Sequence, residues 1–71
     1  MNVGQKVRVR DGSSLARDWD IPRDAQGTVL CRYRLLRDRQ DAPDRLDVRF
    51  SSQVIVWGAS EGSFEVIAEH R

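Results

Sequence analysis

The amino-acid sequence predicts an all-β fold made of five short strands. In residues 3–10, Val3, Val7 and Val9 lie on one parity and the cations Lys6, Arg8 and Arg10 on the other, which is the pattern of a strand with one buried face. Shorter alternating segments follow it, and clusters of turn-forming residues separate them. No segment shows the apolar period of an amphipathic helix. These three observations indicate a sheet protein.

The first and second strands are predicted to be joined by a long loop. Turn-forming residues at 11–14 end the first strand, residues 15–26 keep no sustained period, and Pro22 favours an extended or turn geometry. The second strand begins at Gly27 and alternates again. The alternate residues of this strand that are predicted to face the core are Val29, Cys31, Tyr33 and Leu35. We therefore expect Cys31 to be buried and inert.

Three further strands follow a charged, exposed connection at residues 37–45. Residues 46–50 alternate, whereas residues 54–57 are apolar on both parities, so one face of that strand is covered by a loop, covered by another subunit or left as an apolar patch. A tight helical turn and a last strand at residues 64–67 are predicted next, with a polar tail at 68–71. Because closure protects the edges of a small sheet, we expect a five-stranded SH3-like barrel.

The length and composition limit the class of protein. Seventy-one residues allow a single domain, residues 1–71, whose core is small enough to favour stabilisation by a partner chain. The net charge of +1 provides no general cationic field of the kind that nucleic-acid binders carry. No leader or long apolar segment is present in the sequence, so we expect a soluble, cytoplasmic protein without a membrane partner.

No catalytic or metal site is predicted. Cys31 is the one cysteine of the sequence, so the chain has no internal disulfide and cannot by itself hold an iron–sulfur cluster or a structural zinc. His70 has no nucleophile spaced near it and is expected to be a surface residue. The aspartates of residues 38–47 alternate with arginines, which predicts a charge-paired loop in place of a cation site. We expect a protein that is not an enzyme.

The candidate binding site is a basic stripe on the outward faces of the strands. Cations on rigid strands would steer an acidic partner and fix its orientation. The alternative is a solvated strand face whose cations pair with Asp11, Asp24 or Asp47. The residues of the predicted stripe are Lys6, Arg8, Arg10, Arg32, Arg34 and Arg49.

Five motifs along the chain carry a resemblance to a known family. They are MNVGQKVRV at residues 1–9, WDI at 19–21, DAQG at 24–27, VRFS at 48–51 and FEVI at 64–67. With these motifs the chain resembles the variable chain of ferredoxin-thioredoxin reductase along almost its whole length. Related barrels with a similar Val-Arg-Val and Gly-Thr-Val pattern are a small peripheral protein of photosystem I and a ferredoxin-docking component of the photosynthetic NDH complex. The charged connection at residues 37–45 and Pro22 depart from the variable-chain pattern.

The resemblance implies a non-catalytic (alpha) subunit of an electron-transfer complex. Such a subunit forms a heterodimer with a catalytic subunit that carries a [4Fe-4S] cluster and a redox-active disulfide, and it contributes no cofactor ligand itself. Acidic ferredoxin would dock on the basic stripe, and thioredoxin is a further candidate partner. The apolar fourth strand would contact the catalytic subunit, because covering it stabilises a small barrel. The contact residues are Val54, Val56 and Trp57.

Two other functions stay open. Residues 4–9 followed by Gly-Thr-Val at 27–29 also resemble KOW-type barrels, whose basic strands contact nucleic-acid phosphates. The long separation of the two glycine elements and the low net charge argue against that function, which makes nucleic acid an unlikely partner. The third function is a stand-alone protein-interaction barrel.

Overall fold

The protein is an antiparallel sheet of five strands, described by a computed structural model over residues 1–67. The predicted polar tail at 68–71, with His70, lies outside the described residues. The sheet order is β4-β3-β2-β1-β5. The strands are β1 (Lys6–Val9), β2 (Gly27–Tyr33), β3 (Arg45–Arg49), β4 (Ile55–Ser60) and β5 (Phe64–Val66). The predicted all-β fold of five strands is confirmed, and closure of the sheet into an SH3-like barrel stays a prediction.

Two short helical turns interrupt the strands. A single α-helical turn, α1 (Leu15–Asp18), lies in the long connection between β1 and β2, where we predicted a loop without regular structure. Four residues are too few to show a helical period, so the sequence pattern misses this turn. A 3₁₀ turn (Glu61–Ser63) leads directly into β5, which confirms the helical turn predicted before the last strand.

The core lies on one face of the sheet. Val7 and Val9 are buried whereas Lys6 and Arg8 are exposed, as the alternation in β1 predicts. Val3 precedes β1 and is 64% exposed, so its predicted place on the buried face of the strand is wrong. Ile21 adds a buried side chain from the connection between β1 and β2. Phe50 stacks on Phe64 with ring centroids 6.4 Å apart. The buried core consists of Val7, Val9, Ile21, Val29, Leu46, Val48, Val56 and Phe64.

Two bulges decide which side chains reach the surface. The ladder between β2 and β3 shifts register between Val29 and Cys31, and the ladder between β3 and β4 shifts between Leu46 and Val48. An extra residue in one strand reverses the alternation beyond it. Cys31 is consequently exposed, so the prediction that it is buried is wrong.

Candidate functional site

The structure divides the predicted basic stripe. Lys6, Arg8 and Arg10 are all exposed and alternate with the two buried valines of β1. Arg8 donates from Nε to Oε1 of Glu65, which stands directly opposite it on β5. This ion pair neutralises the middle of the β1 face and leaves Lys6 and Arg10 at its two ends.

Arg32 lies apart from the other members of the predicted stripe. Because of the bulge in β2, Arg32 stands opposite buried Leu46 and so shares the core-bearing face at the end of the sheet. Its Nε donates to Asp44 Oδ2 at 2.6 Å and its Nη1 to the carbonyl of Met1 at 3.2 Å. The hydrogen bond from Arg32 lowers the pKa of Asp44. The predicted placement of Arg32 on the outward stripe is therefore wrong.

Arg34 holds the connection between β2 and β3 together. It follows the last residue of β2 and donates to the carbonyls of Arg39, Gln40 and Ala42 and to Asp44 Oδ1 at 2.6–3.2 Å. A guanidinium that donates to four acceptors of one loop has little capacity left for a partner. The placement of Arg34 on the stripe is also wrong, because its contacts turn it towards the loop.

A basic groove is formed where β1, β2 and β3 run side by side. Lys6 pairs with Thr28, and Thr28 pairs with Arg49, so the three side chains form one row on the outward face. Lys6 Nζ donates to Thr28 Oγ1 at 2.6 Å. The groove has a volume of about 420 Å³. We call it the basic groove, and its residues are Lys6, Gln26, Thr28, Leu30, Arg49, Phe50 and Ser51.

The two cations of the basic groove, Lys6 and Arg49, are exposed. Within residues 1–67 no carboxylate forms an ion pair with Lys6 or Arg49. The hydroxyl groups of Thr28 and Ser51 line the same groove, and Leu30 adds apolar surface. Cations, hydroxyl groups and apolar surface together suit a partner in which a carboxylate side chain lies next to an apolar one.

The residues of the predicted apolar fourth strand differ in their exposure. Val56 is only 1% exposed and stands opposite Val48 in the core, so its predicted contact with another subunit is wrong. Val54 precedes β4, is half-buried and packs against the core. Trp57 is 64% exposed, beside the bulge of β4. The apolar character of both parities therefore reflects a core position next to an exposed tryptophan.

A polar network fixes the strand segment that carries Trp57. Asp47, which is 7% exposed, accepts hydrogen bonds from Gly58 N at 2.8 Å and from Tyr33 Oη at 2.9 Å. Gly58 has a φ of +66°, a conformation that favours glycine. The bond to Asp47 and partial burial raise the pKa of Tyr33.

Arg45 joins this network to the charged connection. Its Nη1 donates to the Gly58 carbonyl at 3.1 Å, while its Nε and Nη2 donate to Asp38 at 2.8–3.2 Å. Charges in the connection are paired, as predicted, but the side chain of Asp38 is only 8% exposed, so the prediction that the connection is exposed is wrong at this residue. Sequence reasoning missed the supporting roles of Asp38, Asp47 and Tyr33. A glycine after an apolar strand segment, as in Trp57-Gly58, is the one local signal of a bulge there.

The described residues show neither a metal site nor a membrane segment. No group of three or more His, Cys, Asp or Glu side chains among them is arranged to hold a metal ion. Over the same part of the chain, no helix has the length and apolar character needed to cross a bilayer. Comparison with models of known protein families, with curated proteins and with solved structures gives no match to this chain.

Proposed function

We propose that this chain is a non-catalytic subunit of a redox complex similar to ferredoxin-thioredoxin reductase, in which it helps to dock acidic ferredoxin. The observation that carries the proposal is the row Lys6, Thr28 and Arg49, whose two cations have no carboxylate partner within residues 1–67. Preorganised cations on adjacent strands speed the encounter with an acidic protein and fix its orientation.

The distribution of charge supports a protein partner. Arg8, Arg32 and Arg45 are each paired with a carboxylate, which divides the basic character of the surface into separate parts. A local pair of cations matches a local cluster of carboxylates on a protein. A nucleic acid presents a continuous row of phosphates, which is normally met by a longer basic surface.

Trp57 is the proposed contact with the iron–sulfur catalytic subunit. Exposed aromatic side chains held on a rigid backbone are typical anchors of protein interfaces. The bonds from Gly58 and Tyr33 to Asp47 supply that rigidity. In this proposal the [4Fe-4S] cluster and the redox-active disulfide belong to the catalytic subunit, because this sequence has one cysteine.

Calorimetric titration with a plant-type [2Fe-2S] ferredoxin tests the docking role. The test compares the unaltered chain with the double variant Lys6→Glu/Arg49→Glu at about 20 mM and about 200 mM NaCl. We expect the affinity of the unaltered chain to fall with salt, and the double variant to bind roughly tenfold more weakly or worse at low salt.

The matched control is Arg37→Glu/Arg39→Glu, which changes the net charge equally at two exposed positions outside the basic groove. It should bind ferredoxin nearly as well as the unaltered chain. Equal weakening by both double variants would show that only net charge matters and would contradict docking at the groove. Tight, salt-sensitive binding of a short RNA that requires Lys6 and Arg49, without ferredoxin binding, would establish the KOW-like function instead.

A further inference from the structure

A second groove lies at the other end of β1. It is formed between the end of that strand and the connection that contains α1, and its volume is about 450 Å³. Volumes of this size are typical of sites that hold a small ligand or a few residues of a peptide. We call it the loop groove, and its principal residues are Val9, Arg10, Ser13, Ala16, Ile21 and Arg23.

The floor of the loop groove is apolar and fixed in place. Val9 and Ile21 are buried core residues, and Ala16 packs against them. The backbone N–H of Ile21 donates to the carbonyl of Ala16 at 2.8 Å. The backbone N–H of Arg10 donates to Ser63 at 2.8 Å, and its carbonyl accepts from Ser13 at 3.1 Å. The groove is therefore built from ordered backbone.

The rim of the loop groove carries two arginines, Arg10 and Arg23, and one carboxylate, Asp11. Arg10 is exposed, and no acceptor within residues 1–67 bonds to its guanidinium. Arg23 pairs with Asp11 at 3.0 Å, but both side chains are largely exposed, and such pairs contribute little and exchange partners easily. A guanidinium presents a planar pair of donors that matches a carboxylate.

We propose that the loop groove binds a peptide segment of the acidic partner in which a carboxylate side chain adjoins an apolar one. The apolar side chain lies on the floor, and the carboxylate bonds to Arg10. This inference rests on the proposed function, because the occupant is a segment of the same acidic protein. Lys6 and Arg10 are four residues apart along β1, so the two contact points lie about 13 Å apart. One small protein spans that distance.

The ferredoxin titration separates this inference from the proposed function. We expect Arg10→Glu to weaken binding by roughly fivefold and to add to the effect of Lys6→Glu/Arg49→Glu, since the two grooves have no lining residue in common. An unchanged affinity of the Arg10→Glu variant, with a clear loss in the Lys6/Arg49 variant, overturns the loop groove and leaves the proposed function standing. A loss in the Arg10→Glu variant alone supports the loop groove and overturns docking at the basic groove.

A peptide titration followed by amide NMR tests the chemistry of the loop groove directly. The probes are acetyl-Leu-Glu-Leu-amide and its neutral match acetyl-Leu-Gln-Leu-amide. The glutamate peptide should shift the amide signals of Ser13 and Ile21 and bind at least about threefold more tightly than the glutamine peptide. The variant Arg10→Gln should remove that difference. Equal binding of the two peptides, or shifts confined to other parts of the sheet, would overturn the inference.

Discussion

Asp38 shows how one side chain can organise a charged connection. Its carboxylate accepts from Arg45 and from the backbone N–H of Leu35, at 2.9 Å in the second case. The hydrogen bond from Arg45 has the larger effect and the one from Leu35 the second largest. Together they lower the pKa of Asp38 from 3.8 to about 2. The connection therefore depends on the ionised form of Asp38.

The stability of the fold should consequently depend on Asp38 at acid pH. Because the pKa of Asp38 is lower in the folded than in the unfolded chain, its ionised form stabilises the fold above about pH 4, and this contribution is lost as the pH falls towards about 2. Urea unfolding at several pH values measures the effect. We expect the unaltered chain to lose more stability across this window than the variant Asp38→Asn.

Asp41→Asn is the control, because Asp41 is exposed and lies in the same connection. It should lose stability with falling pH as steeply as the unaltered chain does. If Asp38→Asn also shows that same steep loss, the bonds of Asp38 with Arg45 and Leu35 are not the source of the acid sensitivity.

The bulge of β4 is the strand feature on which the proposed subunit contact depends. Asp47 is the single acceptor for both the Gly58 N–H and the Tyr33 hydroxyl group within the described hydrogen bonds. Without that carboxylate, the partly buried backbone N–H of Gly58 would lose its partner. The position of Trp57 on the surface follows from this bulge, since β4 gains one residue relative to β3 there.

We therefore predict that Asp47→Ala destabilises the fold by about 1–3 kcal/mol, the usual cost of an unsatisfied buried group. Tyr33→Phe removes one of the two bonds and leaves the Gly58 bond in place, so it should cost less. Denaturant unfolding followed by tryptophan fluorescence measures both variants. Equal losses in the two variants would show that the Gly58 bond contributes nothing.

Bulges also explain which strand predictions succeed. β1 has no bulge, and its sequence alternation places Val7, Val9, Lys6 and Arg8 correctly. β2 changes face after Val29, and nothing in the apolar residues Leu30 and Cys31 signals the change. The alternation of the sequence therefore predicts the buried residues of the first half of β2 correctly, but it is wrong for Cys31.

For the molecule as a whole, the strand number follows from local patterns, whereas the binding site depends on distant contacts. Turn-forming residues and alternation are properties of neighbouring positions, so five strands are predictable. Whether an arginine is free depends on carboxylates far away in the sequence, such as Glu65 for Arg8 and Asp44 for Arg32. Of the predicted stripe, only Lys6, Arg10 and Arg49 lie outside such pairs within residues 1–67.

The surface of this small protein offers separate charged and apolar regions to a partner. The two grooves at the ends of β1 carry Lys6, Arg49 and Arg10, and the ion pair of Arg8 with Glu65 lies between them. Trp57 on β4 offers a separate apolar contact. A domain of this size gains stability when a partner covers such surface. We therefore propose that this protein functions in an assembly with other proteins.

This proposal is tested by isolating the tagged chain from its native cells at low salt. The recovered material is analysed for protein, iron and nucleic acid. We predict that an iron–sulfur protein is recovered in equal amount, that Trp57→Glu loses it, and that Trp19→Glu, a matched change at another exposed tryptophan, retains it. Recovery of RNA or ribosomal proteins without iron, or of the chain alone, would contradict assembly with an iron–sulfur partner.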